Sequence, residues 1–269
     1  MNITFIGGGN MAAALVGGLL GKGHAAGGIR VVELQAEARA RLAAQFGVAC
    51  LESAASPLGE AVVLAVKPQQ MRAAAEALRP QLTRELVITI AAGIRLVDLS
   101  RWLGGYATLV RCMPNTPALI GAGITGLYAS AAVGAGQRAL ADSILGAVGA
   151  TLWVPEEGML DPVTAISGSG PAYVFYFAEA MQQAAQEMGF SAADARKLAV
   201  ETFVGAARLA AQSQEELALL RERVTSKGGT TESALVSMDA DRIKGLIVRA
   251  LHAANQRAHE LGEQLGAGE

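Results

Sequence analysis

The feature that most constrains this chain is a glycine-rich turn that joins a short apolar strand to a helix near the start of the sequence. Residues 2–6 (NITFI) form the strand, and residues 7–12 (GGGNMA) lead into the helix. Gly7, Gly9 and Ala12 match the G-x-G-x-x-[G/A] fingerprint, whose small residues allow a tight turn, close approach of a pyrophosphate and close helix packing. The helix start would also attract phosphates through its N–H groups and dipole. This context predicts a dinucleotide site, against the alternative of a glycine turn without a ligand.

The composition predicts a globular protein of one large or two ordinary domains. Of 269 residues, 52% are hydrophobic and 17% charged, which is enough for a sizeable core, and the net charge of −2 gives no reason to bind nucleic acid. Two cysteines, Cys50 and Cys112, provide neither a disulfide framework nor a metal cluster. No apolar stretch reaches the ~18–20 residues of a membrane helix, and no leader precedes the first strand. We expect a cytoplasmic protein without metal, nucleic-acid or membrane partners.

Hydrophobic patterning divides the chain into two parts. Strands and helices alternate as far as residue 155, and the apolar run at residues 61–66 (AVVLAV) is typical of a parallel strand buried on both faces. After that point the periodicity is helical throughout. We therefore predict an α/β Rossmann domain with a doubly wound parallel sheet at residues 1–155, followed by an all-α dimerisation domain at residues 156–269.

The predicted helix at residues 171–188 bears on the assembly. Its first half is almost wholly apolar, and small residues recur along the helices that follow it. A helical domain of this size with a helix that is apolar all round favours burial against a second copy, which predicts a homodimer. The alternative is a self-contained bundle docked on the sheet.

Three stretches are predicted to lie at the carboxyl edge of the sheet, where ligands bind in such folds. Lys67 ends a buried strand, and its alternative role is that of an ordinary surface residue. Ala92 and Gly93 follow the next strand, and residues 111–117 (RCMPNTP) follow another. Asn115 and its neighbouring threonine, flanked by prolines, form a rigid polar turn suited to an amide such as nicotinamide, unless they form a plain Asx-turn.

The helical half contains two unusual stretches, residues 167–173 (SGSGPAY) and 224–231 (VTSKGGTT). In the second, consecutive N–H groups from Gly228 onward could bind a small carboxylate, unless the threonines merely cap a helix. The first stretch and the helix after it contain no lysine. A carbonyl substrate usually needs a positioned acid or base, whereas an imine is easily protonated, so the sequence favours C=N over C=O reduction.

The five motifs FIGGGNMA, AVKP, RCMPNTP, SGSGPAY and VTSKGGTT, taken together, resemble those of the pyrroline-5-carboxylate reductases over residues 3–262. The resemblance implies hydride transfer from NADP(H) or NAD(H) to the imine carbon of 1-pyrroline-5-carboxylate, which gives L-proline. It also implies a Rossmann domain followed by a helical dimerisation domain, with dimers often assembled into larger rings.

The resemblance also implies roles for individual residues. Gly229, Thr230 and Thr231 would receive the carboxylate and nitrogen of the substrate, with Thr231 as the catalytic residue that hydrogen-bonds the ring nitrogen. Lys227 stands where the family often has proline. The cofactor would be bound by Gly7, Gly8, Gly9, Asn10, Met11, Ala12, Ala65, Val66, Lys67, Pro68, Ala91, Ala92, Gly93 and Asn115.

Glu33 is a cofactor-binding candidate that departs from the family pattern. It closes the second strand, where an acidic residue normally binds the ribose 2′-OH of NAD and repels the 2′-phosphate of NADP. We therefore predict a weakened preference for NADPH, unless Arg39 and Arg41, which are close in sequence, compensate.

Two other functions remain as alternatives. A β-hydroxyacid dehydrogenase-like reductase would need a catalytic lysine in the first long helix of the second domain, and residues 171–190 contain none. A non-catalytic NAD(P)-binding regulatory protein would not need the intact Gly-Gly-Thr-Thr stretch or Lys67. An assay of 1-pyrroline-5-carboxylate beside a 3-hydroxyacid separates all three.

Overall fold

The computed structural model describes residues 1–54 and 56–267, which form two compact units. The first unit comprises Met1–Ser169 together with the chain from Ala254 onward, and the second comprises Gly170–Ala253. The two units thus divide after residue 169. The predicted domain boundary between residues 155 and 156 stays a prediction.

The first unit is built on an eight-stranded sheet within the described residues. The strand order is β3-β2-β1-β4-β5-β6-β7-β8, and β1 to β6 run parallel in the Rossmann order, which reverses between β1 and β4. The predicted α/β class is confirmed. The strands are β1 (Ile3–Ile6), β2 (Ile29–Val32), β3 (Ala49–Leu51), β4 (Ala61–Leu64), β5 (Leu86–Thr89), β6 (Leu109–Met113), β7 (Gly123–Ala129) and β8 (Gly149–Trp153).

The last two strands depart from the parallel arrangement that was predicted for the sheet and that β1 to β6 follow. β7 pairs antiparallel with β6, and β8 pairs parallel with β7. Only residues 114–122 connect β6 to β7. A parallel connection needs a crossover of about a dozen residues or more, so this short connection forces the chain to reverse direction.

Helices cover both faces of the sheet, which is why its central strands are continuously apolar. Phe5 points to the face covered by α1, α2 and α5, and Val62 and Leu64 point to the face covered by α3 and α4. The helices of this unit are α1 (Asn10–Gly21), α2 (Ala36–Phe46), α3 (Met71–Leu78), α4 (Leu96–Trp102), α5 (Ala135–Leu145) and α6 (Leu160–Val163), which continues as a π-helical turn at Thr164–Gly168.

The second unit is helical, as predicted. Ser191 caps its second helix, because its Oγ accepts a hydrogen bond from the N–H of Asp194 at 3.2 Å. The final helix begins in this unit and continues into the first. The helices are α7 (Gly170–Glu187), α8 (Ala192–Gln212), α9 (Leu217–Arg223), α10 (Thr230–Ala240) and α11 (Ile243–Ala267).

Within a single chain the second unit has a small core. Among the described residues 170–253, the buried hydrophobic side chains are those of Ala195 and Ala199. By contrast Phe175 and Tyr176 on α7 are 68% and 74% exposed, and Met188 is also exposed. Large apolar side chains exposed side by side, as Phe175 and Tyr176 are, are typical of an interaction site rather than of a free surface.

Candidate active site

The glycine turn after β1 requires glycine at its first position. Gly7 has a φ of +100°, and a β-carbon there would lie 2.7 Å from the carbonyl oxygen of Ala65. The N–H of Gly7 donates to the carbonyl of Val32 at 2.8 Å. The turn is therefore locked between β2 and the residue that follows β4, at the point where the strand order reverses.

Gly9 has a different environment from Gly7. It precedes α1 with a φ of −70°, and a β-carbon there would meet no atom within 4 Å. The N–H groups of Asn10, Met11 and Ala12 donate to no residue in the described part of the chain, as expected in a first helical turn. Open space beside three free N–H groups fits the pyrophosphate of a dinucleotide.

The carboxylate of Glu33 lies against the glycine turn. Its Oε2 accepts a hydrogen bond from the N–H of Gly8, and its Oε1 accepts one from the N–H of Gln35, both at 2.9 Å. Glu33 thus occupies the end of β2, where the ribose of a bound dinucleotide lies in this fold.

The two arginines near Glu33 differ in their contacts. Arg39 donates through Nη1 to the carbonyls of Glu33 and Leu34, each at 2.7 Å, and its Nη2 lies 3.6 Å from a carboxylate oxygen of Glu52. Arg41 is exposed on α2. The guanidinium of Arg39 is thus hydrogen-bonded to the backbone that follows β2.

The ends of β4 and β5 place two more predicted segments beside the glycine turn. Ile6 is paired with Leu64, and Leu64 with Thr89, so the three strands end in step. Lys67 is exposed and has no salt bridge to any described residue. The sheet therefore brings together Gly7, Gly8, Gly9, Asn10, Met11, Ala12, Ala65, Val66, Lys67, Pro68, Ala91, Ala92 and Gly93.

Asn115 is a buried cross-link in the first unit. It is 8% exposed, its Oδ1 accepts from the N–H of Ile124 at 2.9 Å, and its Nδ2 donates to the carbonyl of Ser167 at 3.1 Å. These long-range bonds differ from the local side-chain bond of an Asx-turn. One Nδ2 hydrogen remains for a contact with the cofactor. That predicted contact of Asn115 stays a prediction.

A buried charge network beside this edge was not anticipated from the sequence. Arg111 on β6 is 5% exposed, and its guanidinium lies 3.1 Å from Glu157 and 3.6 Å from Asp161. Asp161 in turn lies 3.3 Å from Nδ1 of His259 on α11. The partners are distant in sequence, so no local pattern identifies them.

The unusual stretch at residues 224–231, which was predicted to bind the substrate, forms a tight turn before α10. The N–H of Gly229 donates to the carbonyl of Ser226 at 3.0 Å, and Gly228 between them has a φ of +72°. Gly229 is the residue that precedes the helix, and no side chain caps it. The alternative in which a threonine caps this helix is therefore wrong, because Thr230 and Thr231 are its first two residues.

The first turn of α10 offers free donors. The N–H groups of Thr230, Thr231 and Glu232 and the hydroxyl of Thr231 donate to no residue within the described ranges. The N–H of Gly229 is already bonded, so its predicted contact with the substrate stays a prediction. A helix start with free N–H groups can bind a small carboxylate.

Burial disfavours the thiolate form of both cysteines. Burial raises the pKa of the Cys112 thiol, and burial also raises the pKa of the Cys50 thiol despite the nearby Arg39.

No group of three or more His, Cys, Asp and Glu side chains in residues 1–54 and 56–267 could hold a metal. In the same residues no helix is long and apolar enough to cross a membrane.

Comparison with known proteins gives matches for both parts of the chain. The family model described as "Pyrroline-5-carboxylate reductase dimerisation" matches residues 157–261, and the model described as "NADP oxidoreductase coenzyme F420-dependent" matches residues 2–93. A pyrroline-5-carboxylate reductase of Pseudomonas aeruginosa is 49% identical over 98% of both chains. The protein of that name from Haemophilus influenzae is 42% identical over 96% of this chain and 97% of its own.

Solved structures give the same result. The structure of a pyrroline-5-carboxylate reductase from Coxiella burnetii superposes with a TM-score of 0.93 at 40% identity, covering 97% of this chain and 98% of that one. The Plasmodium falciparum pyrroline carboxylate reductase, solved with NADP bound, has a TM-score of 0.86 at 25% identity over the same shares of the two chains.

Proposed function

This chain belongs to the pyrroline-5-carboxylate reductase family, and from that premise we propose that it reduces 1-pyrroline-5-carboxylate to L-proline with NAD(P)H. The observation that carries the proposal is the first turn of α10. Its free N–H groups and the free hydroxyl of Thr231 match a substrate with one carboxylate and one ring nitrogen. The glycine turn after β1 supports the dinucleotide.

The reaction adds a hydride to a protonated C=N bond. When bound, NAD(P)H supplies the hydride. The imine nitrogen has already taken a proton from water, so the π electrons of the C=N bond become its lone pair as the new C–H bond forms, and the product is a secondary amine. The protein therefore needs to hold the ring in the orientation that accepts the hydride, and it does not need to supply a strong acid.

In this scheme α10 holds the substrate. The N–H groups of Thr230 and Thr231 bind the carboxylate, where the positive end of the helix favours an anion. The hydroxyl of Thr231 forms one hydrogen bond to the ring nitrogen and so sets which face of the ring is reduced. Gly229 shapes the turn and completes the substrate-binding segment.

The cofactor contacts belong to the sheet edge of the first unit. Residues 7–12 hold the pyrophosphate, and Glu33 is placed to bind the ribose. Residues 65–68 and 91–93 line the cofactor, and Asn115 contacts the nicotinamide. The in-step ends of β1, β4 and β5 support this assignment, because they bring these segments to one edge.

We also propose that dimers of this chain assemble into a larger ring and that the enzyme acts in the cytoplasm. The exposed apolar side chains of Phe175 and Tyr176 support self-association. Sedimentation of the purified protein tests the assembly: a species larger than a dimer supports the ring, and a dimer alone contradicts it.

Cell fractionation with an antibody against the chain tests the location.

The deciding assay for the reaction measures NAD(P)H oxidation. With 1-pyrroline-5-carboxylate we expect turnover and the formation of L-proline, and with a 3-hydroxyacid and NAD(P) we expect none. Turnover of the 3-hydroxyacid instead would favour the β-hydroxyacid dehydrogenase alternative. Cofactor binding without turnover of either substrate would favour a regulatory protein.

A further inference from the structure

The turn at residues 226–229 is a hydrogen-bonded turn with a defined order of residues. The N–H of Gly229 donates to the carbonyl of Ser226. Of the two residues between them, Gly228 has a positive φ of +72° and Lys227 does not have a positive φ. This is the pattern of a type II turn, in which the third position needs glycine and the second position accepts proline. A β-carbon on Gly229 would lie 2.5 Å from Oγ of Ser226, so the turn is also closely packed.

A side chain from α10 is hydrogen-bonded to the backbone of this turn. Oε2 of Glu232 accepts a hydrogen bond from the N–H of Gly228 at 2.6 Å. Glu232 is the third residue of α10, where the helix dipole favours a negative charge. The bond therefore joins the tip of the turn to the first turn of α10, the same helical turn that carries the free N–H groups of Thr230 and Thr231.

We propose that Glu232 is a positioning residue for substrate binding, because its bond to Gly228 keeps the start of α10 in the shape that receives the carboxylate. The proposal rests on the proposed function. The side chain of Glu232 does not contact the substrate: it fixes the backbone whose donors do. Fixing the turn lowers the ordering cost of binding, so the contribution of Glu232 lies in the KM for the substrate.

The charge of Glu232 acts on substrate binding in the opposite direction to its hydrogen bond, and experiment separates the two effects. A carboxylate close to the anion site also repels the substrate carboxylate, and this repulsion would weaken binding. Glu232→Gln removes the charge but keeps an oxygen that can accept from Gly228, whereas Glu232→Ala removes both. If the bond dominates, the Gln variant resembles the wild type and the Ala variant does not.

The experiment is steady-state kinetics with 1-pyrroline-5-carboxylate varied at saturating NAD(P)H. For Glu232→Ala we expect the KM for the substrate to rise roughly 3- to 10-fold, as for the loss of one exposed hydrogen bond, with the KM for NAD(P)H unchanged. Glu232→Gln should stay within about twofold of the wild type. Asp239→Ala is the matched control, because Asp239 is an exposed acid on the same helix without a side-chain bond to a described residue.

A rescue variant makes the test specific to the turn. Lys227 has no positive φ, and its N–H donates to no residue in the described ranges, so Lys227→Pro is compatible with the turn and stiffens it. In the Glu232→Ala background this change should recover most of the lost substrate affinity. A mere loss of helix stability would show as a lower Tm and would not be corrected in this way.

The outcomes separate the inference from the function on which it rests. If the wild type reduces 1-pyrroline-5-carboxylate and Glu232→Ala has an unchanged KM, the positioning role is overturned and the function stands. If Glu232→Gln loses as much as Glu232→Ala, the charge and not the bond matters, and the role is again overturned. If the wild type does not reduce this substrate at all, both the function and the inference fail.

Discussion

The carboxylate of Glu33 accepts a hydrogen bond from the N–H of Gly8 at 2.9 Å. A strand end and the glycine turn are thereby joined at the place where the ribose of a dinucleotide lies. Because the second oxygen of Glu33 is bonded to the N–H of Gln35, the side chain is held in this position before any cofactor arrives. An NADP 2′-phosphate would have to enter beside this fixed negative charge.

We therefore predict that Glu33→Ser shifts cofactor preference toward NADPH by about tenfold in the ratio of kcat/KM values, since one close charge repulsion is removed. Glu37→Ser is the control, because Glu37 is exposed on the neighbouring helix. The measurement is kcat/KM for NADPH and NADH with both variants. A wild type that already strongly prefers NADPH would contradict the assigned role of Glu33.

Gly9→Val should abolish dinucleotide binding and leave the fold intact. The new side chain meets no protein atom near its β-carbon and the φ of −70° suits it, so only the space for the pyrophosphate is lost. Gly21→Val is the matched control at the other end of α1, where a β-carbon is also free. Thermal unfolding and cofactor fluorescence report fold and binding. Unchanged affinity in folded Gly9→Val would remove residues 7–12 from the cofactor site.

Gly7→Ala should behave differently from Gly9→Val. Its φ of +100° and the 2.7 Å approach to Ala65 mean that the protein itself, and not the ligand, resists the added carbon. We expect a lower free energy of unfolding by about 1–3 kcal/mol. Denaturant unfolding measures it, and a variant as stable as the wild type would show that the turn relaxes.

Arg111→Ala should destabilise the first unit strongly. It removes the guanidinium that faces the carboxylates of Glu157 and Asp161, and breaking a buried pair in this way costs about 3–5 kcal/mol. Arg257→Ala is the control, because its pair with Glu260 is exposed to solvent and should contribute much less than the Arg111 network. Urea unfolding compares the two. Equal effects would mean that the Arg111 network contributes no more than a surface pair.

The assembly is tested on α7. Phe175→Asp and Tyr176→Asp place a charge on side chains that are exposed in the single chain, so the unit itself should still fold. If these side chains are buried between copies, as a large apolar interface requires, the variants should dissociate at low micromolar concentration. Sedimentation measures the mass, and circular dichroism controls for folding. Variants of unchanged mass would place the interface elsewhere.

Local residues account for the helix ends. The helix Ala36–Phe46 ends where Gly47 adopts a positive φ, and the helix Ala192–Gln212 begins after Ser191, which caps it. Strand ends were less well predicted. The apolar run at residues 61–66 leaves the sheet after Leu64, since the next residues turn toward the glycine loop.

Pairings over long sequence separation were beyond the reach of local patterns. The direction of β7 depends on the length of one connection, and Arg111 finds its partners on segments that follow the sheet. The same holds within the site: the Gly-Gly-Thr-Thr stretch predicted N–H groups that could bind a carboxylate, but the hydrogen bond from the N–H of Gly228 to the carboxylate of Glu232 follows only from the three-dimensional turn.

The central claim is that Thr231 orients the imine, and kcat/KM of Thr231→Ala tests it most directly. Loss of one hydrogen bond to a charged nitrogen, worth about 1.5–3 kcal/mol, predicts a fall of roughly 10- to 100-fold, with NAD(P)H affinity unchanged. Thr231→Ser keeps the hydroxyl and should keep most of the activity. A folded Thr231→Ala protein with full kcat/KM, or one that loses activity only by releasing its cofactor, would contradict the account.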